Sequence, residues 1–146
     1  MAPTEQLRRF ETDGVTATEQ LAAALATELA DGEIVFVSGE LGAGKTTFIR
    51  GAARALGATA AVTSPTFAIG HRYPTRLEGL IVCHLDLYRL DGLDSEDPEL
   101  LAPYLGPGRI TFVEWPEHGG EGLGEPRLRV ELRHSGGDRR AIEVRG

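Results

Sequence analysis

Residues 39–46 combine residue types and a spacing that are suited to binding phosphate. They read GELGAGKT and match the pattern G-x-x-x-x-G-K-[ST] at every fixed position. Glycines in such a loop let backbone N–H groups surround phosphate oxygens, and the start of the next helix adds its positive dipole end. Lys45 can reach between the β- and γ-phosphates of a nucleotide, and the Thr46 hydroxyl can bind Mg²⁺. The pattern predicts a phosphate-binding loop (P-loop).

Two acidic residues are candidates to hold the metal or its bound water. Asp86 follows the apolar residues 81–85, and Glu114 follows the apolar residues 110–113. Such runs predict buried strands, and nucleotide sites of this kind need an acid at the end of a neighbouring buried strand. Both residues therefore qualify, and their spacing does not decide which of them binds the metal directly.

Residues 64–67 (SPTF) lie between the helix after the P-loop and the next predicted strand. P-loop enzymes often have a γ-phosphate-sensing segment at this place in the chain. The Thr66 hydroxyl is therefore a candidate to meet the metal or the attacking water. The alternative interpretation is a local turn held by Ser64 and Pro65.

Two ring side chains lie next to the candidate acids. His84 stands two residues before Asp86, and we expect it to pack or to support the site rather than to react. Trp115 is the only tryptophan and directly follows Glu114. It is expected in the core or, if partly exposed beside the site, in a docking surface.

The rest of the sequence alternates between helical and strand patterns. Residues 16–19 have capping-box spacing, and Leu21, Leu25 and Leu29 then recur every four residues, which predicts a helix of about four turns ended by residues 31–32. Further helices are predicted at residues 45–56 and 96–105. Strands are predicted at residues 34–37, 67–73, 80–85, 110–113, 128–133 and 141–145, the last two as an antiparallel pair.

This order of elements predicts an α/β fold. We expect a P-loop NTPase-like, three-layer domain with a mixed, largely parallel central sheet flanked by helices. The 146 residues are enough for one sizeable core and too few for two, so residues 1–146 are expected to form a single domain.

Composition excludes several classes of protein. The chain has 22 acidic and 15 basic residues, a net charge of −7, and Lys45 is its only lysine. Such an acidic chain is poorly suited to binding nucleic acid by itself, because binding depends on basic residues that neutralise the phosphates. It has no apolar stretch near the roughly 20 residues that cross a membrane, and no signal-peptide pattern at its start. With one cysteine, Cys83, it fits a reducing compartment, so we expect a cytoplasmic protein with no membrane partner.

The single lysine also bears on the choice of nucleotide and reaction. Guanine-specific P-loop proteins usually read the base with an N-K-x-D segment, which would need a second lysine, so ATP is favoured. Three reactions stay open: an ATPase acting on a partner, a small-molecule kinase, and an ATP-dependent binding switch without turnover. A kinase lid could draw on Arg72, Arg76 and Arg89, although the chain length leaves little room for one.

Four segments of the chain resemble the TsaE (formerly YjeE) family, the small ATPases of bacterial tRNA threonylcarbamoyladenosine biosynthesis. The four segments are residues 39–48 (GELGAGKTTF), 64–67 (SPTF), 84–90 (HLDLYRL) and 113–116 (VEWP). They occur in the same order and at approximately the same spacing as in the family. The resemblance runs from about residue 16 to residue 117, but the sequence of residues 91–108 differs from the one usual in the family.

The resemblance implies a role for each candidate residue. Thr46 and Glu114 would bind Mg²⁺, and Asp86 would support the metal and hydrolysis. Thr66 would belong to the switch segment. Arg139 would correspond to a tail residue that lies near the nucleotide in some relatives. ATP would be bound by Gly39, Glu40, Leu41, Gly42, Ala43, Gly44, Lys45, Thr46 and Thr47, with Lys45 also acting in catalysis.

The resemblance further implies a partner-dependent activity. The family hydrolyses ATP weakly alone and acts on the TsaB and TsaD proteins, which transfer a threonylcarbamoyl group to the adenosine beside the anticodon of tRNAs that read ANN codons. The chain would reset the TsaB–TsaD complex between reaction cycles without performing the transfer. It would contact tRNA only indirectly, through that complex.

Overall fold

The structure, a computed structural model, describes residues 6–63, 69–90 and 98–146. Within these ranges seven strands form one sheet, in the order β1-β7-β6-β2-β5-β4-β3. The strands are β1 (Leu7–Thr12), β2 (Ile34–Gly39), β3 (Gly70–Pro74), β4 (Ile81–Asp86), β5 (Arg109–Glu114), β6 (Leu128–His134) and β7 (Arg140–Arg145). The helices are α1 (Val15–Ala26), α2 (Lys45–Ala55) and the short α3 (Pro98–Leu101), and 3₁₀ turns cover Leu87–Leu90, Ala102–Tyr104, Pro116–His118 and Gly120–Leu123.

The centre of the sheet is parallel and its edges are antiparallel. Strand β2 pairs in parallel with β5 and with β6, and β5 pairs in parallel with β4. Antiparallel pairing joins β3 to β4 at one edge, and β6, β7 and β1 at the other. The predicted mixed, largely parallel sheet is confirmed, as is the antiparallel pair near the end of the chain.

Apolar side chains on β2 alternate between two packed faces. Val35 and Val37 belong to the larger core, together with Phe48 and Ile49 of α2 and with the buried face of α1. Phe36 points to the other face, in a smaller cluster with the buried Val113 and with Leu101 of α3. The sheet therefore lies between α1 and α2 on one side and short helical turns on the other, which confirms the three-layer prediction.

The boundaries of α1 differ from the sequence prediction. The helix begins at Val15 with Gly14 as its N-cap, and no side chain caps it. Thr16, the capping position of the predicted capping box, therefore lies inside the first turn. Thr18 is buried, and its hydroxyl bonds to the Thr12 hydroxyl of β1 at 2.7 Å. The helix ends at Ala26 with Thr27 as its C-cap, and is therefore one turn shorter than predicted.

Two further predictions need correction. The helix predicted at residues 96–105 is α3 followed by the 3₁₀ turn Ala102–Tyr104, because Pro103 has no N–H to continue an α-helical ladder. Residues 67 and 68 of the strand predicted at residues 67–73 lie outside the described residues, and β3 begins at Gly70. Strand β1 was not predicted at all, because its two adjacent arginines, residues 8 and 9, interrupt the apolar alternation.

No helix within the described residues is long and apolar enough to cross a membrane.

Helices α1 and α2 cross closely at Gly51. A Cβ added to Gly51 would lie 2.6 Å from the Cα of Glu19, a distance that only a shift of one helix could relieve. The absence of a side chain at this position therefore sets the separation between the two helices, and with it the seating of α2 on the sheet.

We expect Gly51→Ala to destabilise the fold by about 1–3 kcal/mol, because overpacking at the crossing outweighs alanine's better helix propensity. Urea unfolding measures the change. Gly122→Ala is the matched control, since a Cβ there meets nothing within 4 Å and the backbone is not in the left-handed region. Equal stabilities for wild type and Gly51→Ala would contradict the packing argument.

Candidate functional site

The P-loop joins the carboxyl end of β2 to the start of α2. Gly39 is the last residue of β2 and Lys45 the first of α2. A Cβ at Gly39 would lie 2.6 Å from the carbonyl oxygen of Leu132, so only glycine fits against β6 at this point. Gly44 is the N-cap of α2 with φ at 101°, a conformation that other residues rarely adopt. The predicted strand–loop–helix arrangement around residues 39–46 is present.

The Lys45 side chain lies beneath the loop. Its Nζ donates hydrogen bonds to the carbonyl oxygens of Gly39 at 2.5 Å and Glu40 at 3.0 Å, and it lies 4.4 Å from the centre of the Trp115 ring. Burial lowers the pKa of the Lys45 amine, while the negative charge of Glu114 is the strongest influence that raises it.

The two candidate acids lie side by side at the carboxyl edge of the sheet. Strands β4 and β5 are parallel, and their register pairs Asp86 with Glu114. Glu114 is only 3% exposed; its Oε1 accepts from the Thr46 hydroxyl at 3.4 Å, and its Oε2 lies 3.0 Å from Nε2 of His84. Asp86 is half-buried, and its Oδ1 accepts from the backbone N–H of Tyr88 at 3.1 Å.

These groups line one cavity of about 330 Å³. The backbone of the loop, the start of α2, Asp86 and Glu114 all border it. The cavity therefore combines a backbone cradle and an ammonium group, which suit phosphates, with carboxylate and hydroxyl oxygens, which suit a hard cation.

The oxygen donors fit Mg²⁺ bound together with phosphates. Thr46 and Glu114 contribute a hydroxyl and a carboxylate that lie within hydrogen-bond distance of each other. Among the described residues no group of three or more His, Cys, Asp or Glu side chains could hold a metal ion. Mg²⁺ usually binds through one or two carboxylates plus substrate phosphates and water, so this small donor set fits it.

Trp115 connects the loop to an aromatic cluster. Its φ of 57° lies in the left-handed region, the only positive φ of a non-glycine residue in the described chain, and such strain costs on the order of 1–3 kcal/mol. Its ring packs against Tyr88 with centroids 5.1 Å apart, and against His118 at 6.0 Å. Trp115 is partly exposed and also lines a second cavity, of about 470 Å³, beside Gly39. Of the two expectations for this residue, the position beside the site is confirmed.

An arginine that the sequence interpretation did not single out contacts the P-loop. Arg140, the first residue of β7, donates from Nε to the carbonyl oxygen of Ala43 at 3.1 Å and from Nη2 to that of Gly42 at 3.4 Å. Arg139, the predicted tail residue, is exposed in the turn that precedes β7. Strand alternation could have identified Arg140, because the buried Ile142 lies on the same face of β7.

The predicted switch residue Thr66 lies outside the described residues, but the chain on both sides of its segment is held. The Tyr73 hydroxyl accepts from the backbone N–H of Thr63 at 3.2 Å and donates to its carbonyl oxygen at 3.1 Å. The carbonyl oxygen of Ile69 accepts from the backbone N–H of Asp86 at 2.8 Å. Ile69, the first described residue after this segment, therefore lies beside one of the candidate acids.

The loop and the sheet order define the class of the protein. The strand that leads into the glycine-rich loop lies between two parallel neighbours, and one of these ends in Glu114. This is a P-loop-like α/β fold. The crystal structure of Bacillus subtilis YdiB has a similar fold, with a TM-score of 0.75 and 29% sequence identity over 99% of this chain and 88% of that one.

The chain belongs to the TsaE family. The family model described as "Threonylcarbamoyl adenosine biosynthesis protein TsaE" matches residues 12–142. The chain is 43% identical over 126 residues to the Streptomyces coelicolor protein named "tRNA threonylcarbamoyladenosine biosynthesis protein TsaE", covering 86% of this chain and 84% of that protein. It is 38% identical over 125 residues to the Bacillus subtilis protein of the same name, covering 86% and 77%. The resemblance drawn from the four motifs is confirmed.

We expect the Lys45 amine to titrate below its ordinary pKa of 10.5, because burial disfavours the charged form. Lys45 is the only lysine, so ¹³C-lysine labelling gives a single Cε signal to follow by NMR. Between the lowered pKa and 10.5 the unfolded chain binds more protons than the folded one, so this group's contribution to stability rises with pH in that window.

Substituting an acid tests the electrostatic part of this expectation. Glu114→Gln should lower the Lys45 pKa further, and Glu117→Gln should lower it less, since Glu117 acts more weakly on the amine. A Lys45 pKa at or above 10.5, or a larger effect from Glu117 than from Glu114, would contradict this electrostatic description of the site.

Proposed function

We propose that the chain is an Mg²⁺-dependent ATPase that acts in tRNA threonylcarbamoyladenosine biosynthesis. Membership in the TsaE family supports the role in that pathway. The observation that carries the ATPase proposal is the convergence of Lys45, Thr46, Asp86 and Glu114 on one cavity under the P-loop.

Each residue has a distinct task in the proposed site. The backbone of the loop binds the phosphates, and Lys45 bonds to the β- and γ-phosphate oxygens, where negative charge is concentrated. Thr46 and Glu114 hold the metal, which when bound neutralises phosphate charge. Asp86, half-buried beside Glu114, supports the metal and orients water for hydrolysis.

ATP is the proposed nucleotide. A guanine-reading N-K-x-D segment is impossible in a sequence whose only lysine belongs to the P-loop. The contacts between the Lys45 ammonium and two loop carbonyls also bear on affinity, because phosphates must compete with those carbonyls for the same hydrogen-bond donor. We expect weak nucleotide binding by the isolated chain from that competition.

The proposed partners are the TsaB and TsaD proteins of the same pathway, in the cytoplasm. The net charge of −7 argues against direct binding of tRNA, so we assign tRNA contact to the partners. In this proposal ATP hydrolysis by the chain resets the partner complex, and the transfer of the threonylcarbamoyl group takes place on the partners.

Phosphate release from Mg·ATP, measured for the chain alone and with TsaB and TsaD, tests the proposal. We expect slow turnover alone and a clear stimulation by the partners. Lys45→Ala should abolish the stimulation, because the phosphates lose their cation. Glu114→Gln should lower the stimulated rate about 100-fold, the usual size of the loss when one electrostatic contact to a transition state is removed.

The control is Glu125→Gln, the same chemical change at a side chain that is 93% exposed, and it should behave as wild type. Absence of stimulation in the unchanged protein would count against the ATPase proposal. Binding without any turnover would favour a nucleotide-dependent switch, and transfer of labelled phosphate to a small metabolite would favour a kinase.

Arg140 should support nucleotide binding through the loop that it contacts. We expect Arg140→Gln to weaken ATP affinity about tenfold, roughly 1.4 kcal/mol, because the loop loses charge-assisted hydrogen bonds that hold two of its carbonyls. Isothermal titration with ATP measures the change. Arg139→Gln is the matched control, and a larger loss for that variant would show that the exposed neighbour is the nucleotide-binding residue.

A further inference from the structure

His84 is a buried polar residue whose role the proposed function leaves open. It lies on β4, an inner strand of the sheet, and is fully buried. Its Nε2 lies 3.0 Å from Oε2 of Glu114, and its Nδ1 has no hydrogen-bond partner in the described part of the chain. Within the described part of the chain, the one polar contact of the ring is therefore to Glu114, the candidate metal ligand.

The direction of this hydrogen bond follows from the chemistry of the two groups. An ionised carboxylate has only acceptors, so the hydrogen of the pair is on Nε2 of His84. The two oxygens of Glu114 then have different neighbours. Oε2 accepts from His84, and Oε1 faces the Thr46 hydroxyl.

With the described residues as partners, the ring of His84 has one nitrogen that is hydrogen-bonded and one that is not. A buried ring nitrogen without a partner costs free energy, but an apolar side chain on β4 would leave the buried Glu114 carboxylate without one of its hydrogen-bond donors. The hydrogen bond to Glu114 is what an apolar residue could not supply.

We propose that His84 is a positioning residue that orients the Glu114 carboxylate so that Oε1 alone is presented beside Thr46 to the metal. This inference rests on the proposed Mg·ATP site. Without the Nε2–H donor, the carboxylate could rotate and offer either oxygen, or both. Partners that orient a metal ligand in this way typically change metal affinity or activity by 10- to 100-fold when they are removed.

Two substitutions separate the donor from the bulk of the ring. In His84→Gln the amide nitrogen lies three bonds from Cβ, as Nε2 of histidine does, so a donor to Glu114 is retained. His84→Leu keeps the volume and removes the donor. If the leucine variant does not fold, His84→Asn replaces it, because the amide nitrogen of asparagine lies only two bonds from Cβ and falls short of Glu114.

The test is a titration with Mn²⁺, a paramagnetic substitute for Mg²⁺, in the presence of saturating ATP and followed by EPR. Because ATP itself binds Mn²⁺, the protein-bound signal is compared with that of ATP alone. We expect His84→Leu to weaken the protein-bound Mn²⁺ site 10- to 100-fold and His84→Gln to stay within about threefold of wild type. ATP affinity in EDTA should be the same for all three proteins, whereas the metal-free leucine variant should unfold at a lower urea concentration than wild type, because the buried Glu114 carboxylate loses a hydrogen-bond donor.

Each outcome decides one of the two proposals. Wild-type Mn²⁺ binding in His84→Leu would overturn the positioning role while leaving the Mg·ATP site intact. Equal weakening in His84→Gln and His84→Leu would show that the donor is not what matters, and would also overturn it. Absence of a protein-bound Mn²⁺ signal in the unchanged protein would overturn the proposed metal site, and the positioning role with it.

Discussion

Burying the carboxylate of Glu114 at the carboxyl edge of the sheet is the constraint on which the arrangement of the site depends. A nearly unexposed carboxylate costs several kcal/mol unless hydrogen bonds and nearby positive charge compensate. His84 and Thr46 supply the hydrogen bonds, and the Lys45 ammonium supplies charge. These three residues come from β4 and from the start of α2, so the parallel order β2-β5-β4 is what brings the compensating groups to one place.

Close contacts and one strained residue fix the backbone around the site. Gly39 lies against the backbone of β6, and Arg140 binds two carbonyls of the loop from the start of β7. Trp115 takes a left-handed conformation immediately after Glu114 and so brings its ring to the Lys45 ammonium. The loop is therefore supported from both neighbouring strands of β2, as well as by the helix that follows it. Such support preorganises the N–H groups of the loop for an anion.

Local patterns predicted the features that depend on neighbouring residues. The P-loop, strand β2 and helix α2 follow from glycine, lysine and apolar residues within one short stretch, and the apolar runs before Asp86 and Glu114 predicted that each acid ends a buried strand. Features that depend on distant partners were not predictable in this way. Thr16 has the spacing of a capping box, yet α1 begins at Val15 with Gly14 as its N-cap. The nearby Thr18 hydroxyl bonds to Thr12 of β1, a strand in which two adjacent arginines interrupt the apolar alternation. Arg139 and Arg140 are adjacent and chemically identical, and the predicted strand began at residue 141. Because β7 begins at Arg140, this side chain lies on the face of the buried Ile142 and reaches the loop.

The most direct test of the account is a crystal structure of the chain with Mg²⁺ and a non-hydrolysable ATP analogue. The account predicts phosphates within the loop formed by residues 39–46, a metal bound by the Thr46 hydroxyl and Oε1 of Glu114, and Lys45 Nζ transferred from the Gly39 and Glu40 carbonyls to phosphate oxygens. A metal held by Asp86 without Glu114, or a nucleotide bound outside this loop, would contradict it.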